Sequence, residues 1–166
     1  MTATTSQTQY VKDLPNKKIT VTRDFNAPVA TVWRAWTEKE LLEQWWAPRP
    51  WRAETVSMDF KEGGRWHYAM VGPDGTKIYA LMGYKVIKVH DFFTALDAFA
   101  DEKGNINPEF PNNDWKNSFH KNGTGTKVIV ELTFASEADL HKMVEMGFQE
   151  GFAMAHDNLD ELLKTL

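Results

Sequence analysis

Two short turn signals constrain this chain more than anything else in it. Gly72-Pro73-Asp74-Gly75-Thr76 separates the apolar-rich runs 65–71 and 78–89, and Asn122-Gly123-Thr124-Gly125 separates 115–121 from 126–134. Gly and Asn supply the positive φ, and Pro the fixed φ, that a tight reversal needs. A link that short joins antiparallel strands, because a parallel pair needs a crossover of a dozen or more residues. Further strand-like runs fall at 51–59 and 92–100, and Ile19, Val21 and Arg23-Asp24-Phe25 alternate as a half-buried strand. The sequence therefore predicts an antiparallel sheet of seven strands.

Helical periodicity appears on both sides of the strand block. Asn26-Ala27-Pro28 reads as a helix start, followed by Val29, Val32, Trp33 and Trp36 at helical spacing. Thr37-Glu38-Lys39-Glu40 matches a capping box for a second short helix carrying Leu41, Leu42, Trp45 and Trp46, ended by Pro48 and Pro50. After the last strand, Ser136-Glu137-Ala138-Asp139 opens a helical pattern that runs to Leu166 with a bend at Gly147. Phe148, Phe152, Ala155, His156, Leu159 and Leu163 share one face of it, and Glu150, Asp157, Asp160, Glu161 and Lys164 mostly point away. The fold class is thus α+β: a curved antiparallel sheet wrapped around a long C-terminal helix, with two short helices after the first strand. Residues 1–17 are polar and aperiodic and read as a flexible arm, with Tyr10 and Val11 as its candidate contacts with the domain, and 18–166 as one domain. The insertion 101–114, rich in Asn and Pro, reads as a long loop of the kind that often serves as a lid.

Composition excludes several classes of function. Cysteine is absent, which removes disulfides, Cys-ligated zinc and a thiol nucleophile. The first residues lack the apolar core of a secretory signal, and no apolar run is long enough to span a bilayer, so a cytoplasmic location is expected. A net charge of −4 without a block of like charges gives no footprint for nucleic acid or a membrane surface, and neither is expected as a partner. Seven Trp and ten Phe supply rigid apolar area that either fills a core or lines a cavity, and composition does not choose between the two.

Particular phrases narrow the assignment: Val32-Trp33-Arg34-Ala35-Trp36-Thr37, Leu42-Glu43-Gln44-Trp45-Trp46-Ala47-Pro48, Gly63-Gly64-Arg65-Trp66, Gly72-Pro73-Asp74-Gly75 and 145–152, Glu-Met-Gly-Phe-Gln-Glu-Gly-Phe. In this order and spacing they make the chain resemble the Hsp90 ATPase activator homologue 1-like family of the START-like (SRPBCC, Bet v 1-like) superfamily, over residues 19–166. The resemblance implies a helix-grip fold with an apolar cavity between sheet and helix, whose occupants in the superfamily include lipids, polyketides and hormones. It does not imply a reaction, since fold and function separate. The namesake joins a domain of this type to an N-terminal chaperone-binding domain, which this sequence does not show, so a chaperone partner is not the expected reading.

Period-two alternation puts Trp66, Tyr68 and Met70 on one face, as it does Met82, Tyr84 and Val86, and Phe93, Ala95, Asp97 and Phe99. The terminal helix must cover the sheet, so these side chains are placed inward, opposite Phe148, Phe152 and His156. They either pack solidly or surround a ligand-sized void. His156 stands on the apolar helix face, where the resemblance implies leucine. It is either satisfied by a neighbouring group or available for acid–base work, with Asp97 as the natural partner. A buried Asp97 must be paired or hold a raised pKa, with His156, Tyr68 or Tyr84 able to supply the bond; otherwise it sits at a wet rim.

The remaining motifs are weaker. His67 should alternate outward, and His90 and His120 fall at strand ends. His156/Asp160 and His141/Glu145 have i, i+4 spacing but no third ligand, and no phosphate loop or nucleophile elbow occurs, so neither metal nor cofactor is expected. Trp45, Trp46 and Trp51 are either buried at the sheet edge or a sticky surface, and the usual burial of Trp favours the first. These readings lead to a binding module for a small hydrophobic or aromatic molecule, contacted by Trp66, Tyr68, Met70, Met82, Tyr84, Phe93, Asp97, Phe99, Phe148, Phe152 and His156, as a monomer or weak homodimer. Two alternatives stand beside it: a cyclase or dehydratase using His156 and Asp97, and a chaperone-associated interaction protein.

Overall fold

A computed structural model describes residues 8–166. The elements run β1 (Gln9–Asp13), β2 (Lys18–Phe25), α1 (Val29–Thr37), α2 (Lys39–Trp45), β3 (Arg52–Met58), β4 (Arg65–Val71), β5 (Lys77–Lys88), β6 (Phe92–Phe99), β7 (Asn113–Asn122), β8 (Gly125–Phe134), α3 (Glu137–Glu145) and α4 (Phe148–Leu163). All strands form one antiparallel sheet in the order β1-β2-β8-β7-β6-β5-β4-β3. The helix-grip architecture expected from the sequence is present, with eight strands instead of seven.

The extra strand is β1, which the sequence reading assigned to a flexible arm. Its residues do not alternate cleanly, yet Gln9 to Asp13 pair in register with Thr22 to Lys18. Tyr10 explains the docking: its hydroxyl donates to the Gln149 carbonyl at 2.6 Å and its ring meets Phe148 edge-on. A side chain reaching across to the terminal helix is not visible in local periodicity. The part of the predicted arm at 1–7 lies outside the described residues.

Inward residues follow the period-two rule most plainly in β2 and β8, where buried and half-buried positions alternate for most of their length. β4 is buried on both faces. Its outer face is covered by the insertion: Arg65 donates to the Gly104 carbonyl and His67 Nε2 to the Asp101 carbonyl, each at 2.9 Å. His67 is therefore 2% exposed, correcting the expectation of a surface position.

The helix starts carry a second correction. Ser136 caps α3 as expected, its hydroxyl accepting from Asp139 N. Thr37 does not cap α2; its hydroxyl donates to Trp33 O within α1, and Glu38 occupies the cap position without a side-chain bond. Gly147, at φ 86°, separates α3 and α4 outright instead of bending one helix. That left-handed conformation suits glycine and turns α4 across the concave face of the sheet.

Candidate functional site

The interior between sheet and helices is mostly packed solid with aromatic rings. Trp33, Phe60, Tyr84, Phe93 and Phe119 form an edge-to-face cluster under α1. Trp36, Trp45 and Trp46 form a second, centred on α2. Trp45 and Trp46 are 0% and 7% exposed, so the burial expected of them holds. Packing leaves a gap between β4–β7, the segment after α2 and the α3–α4 corner. There a cavity of about 220 Å³ remains. Two of its lining residues, Ile78 and Met146, are exposed to solvent and mark its mouth.

Each wall has an identifiable cause. From β4 come Tyr68 and Met70, from β6 Asp97 and Phe99, and from β7 Trp115, all in the inward phase of their strands. Trp46 enters because α2 ends there and the following segment is tied to α4, Asn158 Nδ2 donating to Ala47 O at 3.1 Å. Its indole N–H donates to the Tyr68 hydroxyl at 3.0 Å, and Tyr68 stacks on Trp66 with centroids 3.9 Å apart. From α4 come Phe148 and Phe152, one turn apart and stacked at 5.3 Å, with Gly151 between them leaving the helix backbone as wall. Phe110 of the insertion packs on Phe99 at 5.1 Å, bringing that loop to the cavity's edge.

Of the residues predicted to line a site, Tyr68, Met70, Asp97, Phe99, Phe148 and Phe152 meet at the cavity. Trp66, Met82, Tyr84 and Phe93 face inward as expected but lie within the packed core. His156 lies elsewhere. Its ring is 1% exposed and held among Phe25, Trp36, Trp45 and Phe152. Among the described residues no hydrogen bond joins it to Asp97, and it does not line the cavity, so the anticipated acid–base pair is not assembled. The sequence reading missed Trp46 and Trp115 as cavity residues. For Trp115 a signal was available, because Trp115, Asn117 and Phe119 alternate in β7.

Electrostatically the two ionisable groups differ. His156 Nδ1 is 2.9 Å from the Thr8 hydroxyl, which itself accepts from Arg23 Nη1 at 2.9 Å. The hydroxyl proton thus points to Nδ1, which leaves the ring proton on Nε2, where it is buried without a partner. Burial, with Arg23 nearby, lowers the His156 pKa to about 3, so the ring is neutral at physiological pH. Asp97 is half-buried, with its residual exposure toward the cavity. Burial raises its carboxyl to about 7, and the Trp115 indole N–H, which also donates to Asn113 Oδ1, pulls the other way. Burial first, and the Asp97 charge second, push the Tyr68 hydroxyl upward. Among the described residues no three His, Asp or Glu side chains cluster to hold a metal ion, and no helix is long and apolar enough to cross a membrane.

Comparison with known proteins agrees with this fold. The model of the family described as Activator of Hsp90 ATPase homolog 1-like protein matches residues 26–164. The crystal structure of protein Ms6760 from Mycobacterium smegmatis is 33% identical, with 95% of this chain and 96% of that one covered and a TM-score of 0.87. A solution structure of a protein from Arthrobacter aurescens is 32% identical, covering 95% and 92%, with a TM-score of 0.89. One from Staphylococcus epidermidis is 28% identical, covering 94% and 93%, with a TM-score of 0.83. No curated protein matches the chain significantly.

Proposed function

The chain belongs to the Activator of Hsp90 ATPase homolog 1-like family, and from that premise we propose that it binds a small apolar or aromatic molecule in the cavity between its sheet and its C-terminal helices. The observation that carries this reading is the cavity itself, a gap in an otherwise close-packed aromatic interior. Cores of this kind rarely leave voids larger than a water molecule. At about 30 Å³ of liquid volume per water, 220 Å³ equals roughly seven waters, enough for a small aromatic or short-chain molecule. Walls that are mainly apolar, with one carboxyl and one hydroxyl, are the usual composition of a ligand site.

Trp46 and Trp115 in the walls make intrinsic fluorescence a reporter. Titration with a panel of small aromatic alcohols and hydrocarbons is expected to give saturable quenching by some members. Ile78→Trp, placed at the half-exposed mouth, is expected to weaken that binding about tenfold or more while changing stability by less than about 0.5 kcal/mol. The proposal fails if no panel member binds, or if the variant binds as the parent does.

A further inference from the structure

We infer that the cavity selects organic cations, an alkyl- or arylalkylamine whose ammonium group meets Asp97 within a ring of aromatic side chains. The inference rests on the reading of the cavity as a ligand site and specifies what enters it. Six of the lining residues are aromatic: Trp46, Tyr68, Phe99, Trp115, Phe148 and Phe152. Asp97 is the one carboxylate among the lining residues, and no Lys, Arg or His lines the cavity with it. Among the described residues no ion pair involves it either.

The chemistry follows from charge balance. An ionised carboxylate in an apolar recess is unfavourable unless a counter-charge arrives, and the protein supplies none. The groups facing Asp97 are Tyr68 from β4, Met82 and Asn113 at its cross-strand positions, Trp115 from β7, and Trp46, Phe148 and Phe152 from the helical side. Tyr68 is the other titratable group, and burial keeps it a neutral phenol. A ligand cation completes the pair, and the faces of Trp, Tyr and Phe add the attraction of their ring quadrupoles, strongest where water is excluded. The N-terminal end of α4, which favours anions, lies at the mouth beside Met146 and Phe148, with Glu150 in its first turn, whereas Asp97 lies on the sheet side. The Asp97 carboxyl, raised to about 7, then gives the selectivity a pH dependence. As pH rises through that value the acid ionises and amine affinity increases, and it stays high until the amine loses its own proton near about 10.

The test compares 2-phenylethylamine with 2-phenylethanol, which share size and ring and differ in charge, by calorimetry on the intact protein. Above pH about 7 the amine is expected to bind about tenfold or more tighter, and below it the preference should shrink. Asp97→Asn, verified as folded by near-ultraviolet circular dichroism, is expected to lose the preference and its pH dependence. Equal binding of the two compounds by the parent, or a preference that survives Asp97→Asn, overturns the inference. If the alcohol alone binds, cation selectivity falls and the apolar-cavity reading stands; if neither binds, both fall.

Discussion

The interior of this molecule admits charge at two places and treats them oppositely. Near β2, Arg23 is 3% exposed, yet it donates to Thr8 and pairs with Asp157 and Asp160 of α4, Asp157 at 2.9 Å. His156 beside it is neutral and bonded to Thr8, with rings packed around it. Near β6, Asp97 has no cation beside it among the described residues and borders empty space. Burial of a polar side chain is common to both regions and therefore does not identify a site. A missing counter-charge together with a void does, and of the two only the Asp97 end combines them.

The largest expected effect tests the claim that the Arg23 end is structural. Arg23→Ala removes the guanidinium that joins β2, Thr8 and α4, and leaves Asp160 half-buried and unpaired. Urea unfolding is expected to show a loss of about 3 kcal/mol, the lower end of the range for breaking a buried pair from one side, because the Asp157 carboxylate is itself exposed. Unfolding within about 0.5 kcal/mol of the parent would mean that the network holds nothing and that the contrast between the two ends is unfounded.

Titration sharpens the comparison, because the two groups give stability slopes of opposite sign. Asp97 keeps its proton in the folded protein up to about pH 7, whereas the unfolded chain loses it near 3.8. Between those values the folded state holds more protons, so stability falls as pH rises, and the deficit is complete above 7. Asp97→Asn is expected to exceed the parent by a few kcal/mol above that pH and to match it near 3.8. His156 behaves in reverse: the unfolded chain takes up the proton near 6.5 and the folded protein only near 3, so stability falls as pH drops through that interval. His156→Leu is expected to flatten this acid limb. Melting temperatures of the three proteins across pH decide the matter, and an Asp97→Asn curve that tracks the parent above pH 7 would show that Asp97 is not desolvated.

Much of the fold was legible because it is written in local rules. Tight-turn residues fixed the antiparallel pairing, and alternation placed Tyr68, Met70, Asp97 and Phe99 on the inward face. What was not legible depended on contacts between distant segments. β1 is held by Tyr10 reaching Gln149, His67 is covered by the insertion at Asp101, and His156 Nδ1 is bonded to Thr8. None of these partners lies within a helical turn or strand pair of the residue it satisfies. The cavity was legible only in part, for a related reason. Alternation tells that a side chain points inward, but whether it meets another ring or a gap depends on how the rings pack. Tyr84 and Phe93 met rings, and Phe99 and Met70 met the gap.

The smallest expected effect bears on why the gap persists. Gly151 lies inside α4, where glycine is about 1 kcal/mol less favourable than alanine. A Cβ there would meet the Pro48 ring at 3.8 Å, an ordinary van der Waals contact, so no clash requires glycine. It would, however, project beside Phe148 and Phe152 at the cavity wall. Gly151→Ala is thus expected to raise stability by up to about 1 kcal/mol and to lower 2-phenylethanol affinity a few-fold, a trade of binding space against helix propensity. Both readouts moving that way would show that the void is maintained against the helix's own preference. A gain in stability with unchanged affinity would place the ligand away from α4, against the sheet and Asp97.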